Sequence, residues 1–256
     1  MQSEEAACRA RCGTVRFMTP ARTTFAPQPI GTRSRRARLE VIGAPDTAVP
    51  PWATAWCDQT GVDLICGLTL PDWAFEPGPR FKGWPQVTAD IATSTAGGAA
   101  VLVNRPTWPG SVAPCVVAAL EELPDDIEVL ADAAGCAAAL DETLLLVHGV
   151  PVSFGERSLG IDAALARGRA VLAAGTSLLM ETQPSVRVIS RLLRAHPHEL
   201  VTEDIQADLV VVGGAPVDSS RELGLVTLSA IQHAPCAVLV TPRAPGIHRS
   251  RFAPSL

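Results

Sequence analysis

One stretch of the sequence, residues 207–243, constrains the fold more than any other. It reads ADLVVVGGAPVDSSRELGLVTLSAIQHAPCAVLVTPR. Two nearly unbroken aliphatic runs, 209–212 and 237–240, flank a glycine turn, a loop and a helical segment. Such runs are typical of parallel strands that are covered on both faces. The stretch therefore predicts a buried strand, a helix and a second buried strand.

The rest of the chain continues this alternation of strand and helix. A weaker copy of the block lies upstream, at residues 62–105. Strands are predicted at 39–42, 62–67, 99–103, 115–120, 143–147, 185–189, 209–212 and 237–240, and helices at 50–59, 87–95, 127–140, 159–180 and 198–205, with a further helix before the last strand. The alternation predicts an α/β fold with an open, parallel, doubly wound, Rossmann-like sheet.

Composition divides the chain into two related units between two tails. Residues 1–37 are polar and rich in Arg, Thr and Pro, which predicts a disordered basic tail, and a basic arm for anionic partners is the alternative. Residues 38–106 form a truncated first unit, 113–245 a complete second unit, and 246–256 a short tail. The segment TAGGAAVLVNRP parallels QHAPCAVLVTPR, and Asp63 aligns with Asp208. The first unit is therefore predicted to match the last three strands of the second.

Charge and cysteine usage exclude several classes of protein. The net charge of -5 argues against general nucleic-acid binding by the folded part. Charged residues interrupt every long apolar stretch, so no membrane span is expected. No apolar signal core follows Met1, and the seven cysteines are odd in number and have no framework spacing. These features predict a cytoplasmic protein.

Three passages resemble the universal stress protein family. They are CVVAALEELPDDIEVLADAAGCAAALDETLLLVHGVPV, ADLVVVGG and SAIQHAPCAVLVTP, and the His-Ala-Pro-Cys step in the last is the most specific. The resemblance covers about residues 114–243, with a truncated copy across 38–105. It implies a five-stranded open sheet, dimerisation through the last strand, and adenine-nucleotide binding in some members.

The nucleotide site is where the chain departs from the family pattern. Nucleotide-binding relatives carry an Asp after the first strand and G-x2-G-x9-G-[ST] after the fourth, which lets backbone amides and a hydroxyl approach phosphates. Here Pro216 replaces the second glycine and Leu225 replaces the hydroxyl residue. The residues left for a degenerate cofactor site are Glu121, Gly213, Gly214, Gly224 and Thr227.

These observations predict a non-catalytic stress-response or regulatory protein in which nucleotide binding is lost or weak. The alternative is a sensor that binds ATP with Mg²⁺. A third hypothesis, a hydrolase or redox enzyme, needs a nucleophile and a base, and Cys236, Cys115 and His148 are its candidates. The favoured interpretations are that the thiol of Cys236 is packed in the core and that His148 has a loop or capping role. Neither a catalytic residue nor a metal site is predicted.

Partners are expected to be proteins, with neither nucleic acid nor membrane among them. Self-association would use sheet-edge strands, one with Val101 and Val103 and the other with Val238 and Val240. These same strands offer a second possibility, in which the two units of one chain pack together as an intramolecular version of the family dimer.

Overall fold

Strands and helices alternate along the chain from Arg38, as the sequence predicts. A computed structural model describes residues 38–45, 47–75, 82–105, 115–150, 160–195, 199–201, 207–217 and 222–243. In these residues the strands are β1 (Arg38–Gly43), β2 (Asp63–Thr69), β3 (Ala100–Asn104), β4 (Cys115–Ala119), β5 (Thr143–Val150), β6 (Val188–Arg194), β7 (Leu209–Pro216) and β8 (Ala237–Arg243). The helices are α1 (Pro51–Thr60), α2 (Trp84–Ala96), α3 (Ile127–Leu140), α4 (Ile161–Thr182) and α5 (Leu225–His233).

All eight strands belong to one sheet, in the order β2-β1-β3-β8-β7-β4-β5-β6. Neighbouring strands are parallel except β3 and β8, which are antiparallel. The predicted fold class is therefore confirmed as an open, mostly parallel α/β sheet. A single antiparallel pair among the described strands departs from the fully parallel expectation.

The antiparallel pair joins the two predicted units within one chain. Val101 is opposite Val240, Leu102 opposite Leu239 and Val103 opposite Val238. The two strands therefore pair with each other and lie in the interior of the sheet. Their description as sheet edges is wrong, because each has a hydrogen-bonded neighbour on both sides.

The strand order within residues 38–106 differs from the one that the internal sequence match predicts. In that alignment β2 corresponds to β7 and β3 to β8, so β2 should lie next to β3. Instead β1 lies between them. Helices α1 and α2 pack on opposite faces of the sheet. Because strand–helix–strand crossovers are right-handed, the connection through α1 and the connection through α2 run in opposite directions across the sheet. Strands β2 and β3 therefore lie on opposite sides of β1.

Helices cover both faces of the sheet and form two apolar layers. One layer lies under α1, α3 and α4, with Trp56, Leu130 and Leu179 among its fully buried side chains. The other lies under α2 and α5, with Trp84 and Ile231. Both layers contain residues from each side of the β3–β8 junction. The two units therefore share their cores.

Several boundaries fall outside the predicted ones. The helix predicted at 127–140 has those bounds, whereas β5 continues to Val150 and β6 begins at Val188. Aliphatic runs mark the buried part of a strand, but hydrogen bonding to a neighbour extends the strand through polar residues. Helix α2 begins three residues early, at Trp84. Of the helix predicted at 198–205 the described part is a 3-10 turn, Glu199–Val201.

None of the helices in the described ranges combines the length and apolarity that a bilayer crossing requires. The predicted tails, 1–37 and 246–256, lie outside the described residues.

Candidate functional site

The candidate site is the crevice at the carboxyl ends of β4 and β7. From β4 the chain moves to β5 and β6 on one side of the sheet, and it returns to β7 and β8 on the other. Open α/β sheets bind ligands outside the point where the strand order reverses in this way. Glu121 lies two residues after β4, and Gly213 lies within β7. Two of the predicted site residues are therefore at this crevice.

A buried carboxylate closes the β4 side of the crevice. The Asp126 side chain is fully buried, and its Oδ2 accepts hydrogen bonds from the backbone N–H groups of Glu121 at 2.5 Å and Glu122 at 3.0 Å. Burial raises the pKa of Asp126, while Arg243 and the two amides oppose that rise. Asp126 directly precedes α3, where a helix cap would lie, but its carboxylate turns back to the preceding loop and makes no cap hydrogen bond. The loop amides are therefore already bonded.

Arg243, the last residue of β8, occupies the crevice itself. Its Nε donates to Asp126 Oδ1 at 2.9 Å, and its Nη1 donates to Glu121 Oε2 at 3.2 Å. The guanidinium lies against Gly213, where a Cβ would be 2.8 Å from the Arg243 Cζ atom. A side chain at position 213 would therefore push this guanidinium out of its place. The protein's own guanidinium thus fills the space beside Gly213.

The glycine segment of β7 stays in the sheet instead of forming an open loop. Gly214 is buried, and a Cβ on it would be 2.7 Å from Cβ of Thr95 in α2. The Thr95 hydroxyl accepts a hydrogen bond from the Ala215 amide at 3.1 Å, and the Val217 amide donates to the Arg243 carbonyl oxygen at 3.1 Å. Between Gly213 and Pro216 the strand carries one extra residue relative to β8, which is a β-bulge.

The remaining predicted site residues are in and before α5. The Thr227 side chain is buried, and its hydroxyl donates to the carbonyl oxygen of Gly213 at 2.6 Å. Gly224 is exposed at the start of the helix, and the first helical residue, Leu225, is also exposed. The structure thus places Thr227 against Gly213, but its hydroxyl proton already has an acceptor.

The charges at the crevice are paired among themselves. Besides the pairs of Arg243, Arg167 in α4 donates to Glu122 Oε2 at 2.8 Å. The backbone amides of Glu121, Glu122 and Ala215 also have acceptors, as described above. A ligand anion would have to displace existing hydrogen bonds among three carboxylates and two guanidinium groups that already pair with one another. The arrangement suits internal closure of the crevice more than recognition of an anion.

His148 lies within β5, not in the loop that the sequence suggests. Its Nδ1 donates to the carbonyl oxygen of Leu120 at 3.0 Å, and α4 crosses the ring at Gly168. Burial is the main cause that lowers the pKa of His148. The hydrogen bond links the ends of β4 and β5.

The thiols of the hypothetical enzyme are poor nucleophiles. Burial raises the pKa of Cys236 to about 12 and is the largest cause that raises the pKa of Cys115. Because a thiolate is the reactive form, neither residue is activated. In the part of the chain that the structure describes, no group of three metal-binding side chains comes together. The histidines at 196 and 198 lie outside that part.

The corresponding end of the first unit has a different arrangement. Gly67, which aligns with Gly213 in sequence when a short gap is allowed, is on the outer strand β2 and is separated from β3 by β1. Just after β3, Arg105 is buried beside the rings of Phe75 and Trp84, with its Cζ 5.6 and 5.8 Å from their centroids. Burial lowers the pKa of Arg105 to about 10. Its Nη2 also donates to the carbonyl oxygen of Ile231.

Sequence reasoning missed three residues that determine the state of the crevice: Arg243, Asp126 as its partner, and Thr95. One signal was available for Arg243. Leu239 and Thr241 lie on the face of β8 that meets α3. Because side chains alternate along a strand, Arg243, two residues after Thr241, is expected to point to the same face. Thr95 had no comparable signal, because α2 crosses to β7 through tertiary packing.

Comparison with known proteins finds similar structures at low sequence identity. Neither a protein-family model nor a curated protein matches the chain. Similar solved structures are universal stress proteins. One, from Burkholderia pseudomallei, has 24% identity, covers 52% of this chain and 99% of its own, and has a TM-score of 0.40. Another, from Archaeoglobus fulgidus in complex with dAMP, has 21% identity, 52% and 99% coverage and a TM-score of 0.41. A third, from Archaeoglobus fulgidus DSM 4304, has 13% identity and a TM-score of 0.38 and covers 81% of this chain and 86% of its own.

Proposed function

We propose that this chain is a non-catalytic, universal-stress-protein-like regulatory protein whose nucleotide crevice has lost its ligand or binds it weakly. The observation that carries the proposal is the ion pair between Arg243 and buried Asp126, which places a guanidinium against Gly213. A cation of the protein itself thus takes the position that the family pattern reserves for phosphate.

The energetic argument concerns what a nucleotide would have to displace. Moving Arg243 away leaves Asp126 buried without its counter-ion, and breaking a buried ion pair in this way costs about 3–5 kcal/mol when one partner is lost. Each 1.4 kcal/mol of cost weakens binding about tenfold. Even the lower end of this range would therefore weaken nucleotide binding by about a hundredfold. The bonded amides of Glu121, Glu122 and Ala215 supply no compensating free donors.

A non-catalytic role is supported by the chemistry of the candidate nucleophiles. Burial raises the pKa of Cys236 to about 12, and Nδ1 of His148 is hydrogen-bonded to the carbonyl oxygen of Leu120. We expect the protein to act by contacting other proteins under stress, in the reducing cytoplasm that its free cysteines favour. Neither a cofactor nor a metal is required for such a role.

The second candidate function is an adenine-nucleotide sensor. It is favoured by the position of Glu121 and Gly213 at the reversal of strand order and by the contact of Thr227 with Gly213. In that case Glu121 would lie near the ribose, and Gly213, Gly214, Gly224 and Thr227 would line the phosphates of ATP with Mg²⁺. The guanidinium of Arg243 would then have to break its ion pair with Glu121, whose side chain is exposed, and bind the phosphates instead.

Calorimetry with Mg-ATP on the full chain tests both candidates. The variants are Arg243→Ala and, as a matched control, Arg167→Ala, which removes the exposed pair with Glu122 beside the same crevice. We expect no saturable binding by the natural chain or the control. A dissociation constant below about 10 µM for the natural chain would contradict the proposal. Loss of that binding in Arg243→Ala alone would support the sensor.

A further inference from the structure

The two outer strands of the sheet differ in how their edges are protected. Every residue of β2 is exposed, including three large apolar side chains, Leu64 at 36%, Ile65 at 42% and Leu68 at 43%. The outer side of this strand has no described neighbour, because β1 is its one hydrogen-bonded partner. An exposed apolar strand at a sheet edge is a template for pairing with another strand.

Charge distinguishes β2 from the strand at the other end of the sheet. The sequence of β2 is DLICGLT, so its single charge is Asp63 at the start, and it contains neither Lys, Arg nor Pro. Strand β6, VISRLLR, carries Arg191 and Arg194. Charged side chains on an edge strand prevent pairing because pairing would desolvate them. The sheet thus has one protected edge and one unprotected edge.

We propose that β2 is an interface between two copies of this chain, which pair antiparallel across a twofold axis. A twofold axis perpendicular to the sheet brings the same strand of each copy together. Antiparallel pairing puts Asp63 of the two copies at opposite ends of the contact, so their like charges do not meet. A head-to-tail contact between β2 and β6 would instead place Arg191 and Arg194 beside Leu64 and Ile65.

The first half of β2 is the part best suited to this pairing. Residues from Asp63 to Cys66 are in regular register with β1, whereas an extra residue interrupts the register before Thr69. A regular strand presents alternate N–H and C=O groups outward, and a bulge breaks that pattern. Leu64 is beside Leu39 of one layer and Ile65 beside Glu40 on the opposite face. The contact would therefore extend both faces of the sheet from one copy to the next.

Sedimentation equilibrium of the full chain tests the proposal. Concentrations from about 1 to about 500 µM are needed because a single strand pair makes a small and weak interface. The decisive variants are Ile65→Lys in β2 and its matched control Ile189→Lys in β6, where Ile189 is 53% exposed. We expect a monomer–dimer equilibrium for the natural chain, dissociation constants raised about tenfold or more by Ile65→Lys, and no change with Ile189→Lys. A natural chain that remains monomeric, or equal effects of the two variants, would overturn the proposal.

Two further measurements, circular dichroism and hydrogen exchange, and one deletion variant keep the test decisive. Circular dichroism shows whether Ile65→Lys retains the fold, and Cys66→Arg replaces it if it does not. Hydrogen exchange should slow at the amides of β2 as the concentration of the natural chain rises.

Deletion of residues 1–37 should leave the dissociation constant unchanged. A deletion that strengthens the dimer tenfold or more would mean that the chain's own tail covers β2, and it would overturn the assignment to a second copy.

Discussion

The guanidinium of Arg243 lies over Gly213 and binds the buried carboxylate of Asp126, with 2.9 Å between Nε and Oδ1. The two residues that form this ion pair are 117 positions apart in the chain. Together they close the crevice between β4 and β7 from opposite sides. A cation that the protein supplies from its last described strand stands where an α/β sheet normally receives a ligand.

Substituting Arg243 with Ala should destabilise the fold. Asp126 would stay buried without its counter-ion, although its two amide hydrogen bonds and protonation reduce the penalty. We expect a loss of about 3 kcal/mol in the free energy of unfolding, at the lower end of the range for a broken buried pair, measured by urea denaturation. Arg167→Ala, which removes an exposed pair, should cost less than about 0.5 kcal/mol. Equal losses for the two variants would contradict the role assigned to the buried pair.

Gly214 should not tolerate even alanine. A Cβ there would be 2.7 Å from both Cβ and Cγ2 of Thr95, so α2 would have to move away from β7. We expect Gly214→Ala to cost about 2 kcal/mol or more in the unfolding free energy, as overpacking of a buried site does. In Gly224→Ala, by contrast, a Cβ meets no atom within 4 Å, and the cost should stay near 1 kcal/mol or below, as for a weakened helix cap. A neutral Gly214→Ala would show that the contact between α2 and β7 is looser than described.

The contribution of Glu142 to the stability of the fold should fall as the pH rises from about 4.5 to about 7. Burial, followed by a hydrogen bond to Asp208, raises the pKa of Glu142 from 4.5 to about 7. Between these values the folded state holds a proton that the unfolded state has released, so the stabilisation is complete below 4.5 and lost as the pH passes 7. The measurement is the difference in unfolding free energy between the natural chain and Glu142→Gln across this range. A pH-independent difference would show that Glu142 does not keep its proton.

Thiol reagents should distinguish the cysteines by exposure. Cys66 lies on β2 and is exposed, whereas burial raises the pKa of Cys57 to about 11 and that of Cys236 to about 12. In dilute native protein at pH 8, mass spectrometry should find Cys66 modified first among the described cysteines, with Cys57 and Cys236 modified after denaturation. Rapid native modification of Cys236 would revive the hypothesis of a thiol enzyme.

The secondary structure of this chain follows from local sequence patterns. The apolar stripe at 127–140 predicts α3 with its observed bounds, and the aliphatic runs predict the buried parts of β7 and β8. The alternation of these elements also predicts the fold class and the crevice after β4. Such features are readable because hydrophobic periodicity records which side of each element is buried.

The order of the strands and the state of the crevice depended on contacts between distant residues. The internal match placed β2 beside β3, but the helices α1 and α2 on opposite faces put β1 between them. The replacement of the second glycine by Pro216 and of the hydroxyl residue by Leu225 predicted a poor nucleotide site, yet the closure by Arg243, Asp126 and Thr95 is a tertiary effect. By itself the sequence determined which segments are strands and helices, since burial periodicity is local. Only the tertiary structure decided which side chains fill the space between them, because that choice depends on how elements more than a hundred residues apart pack together.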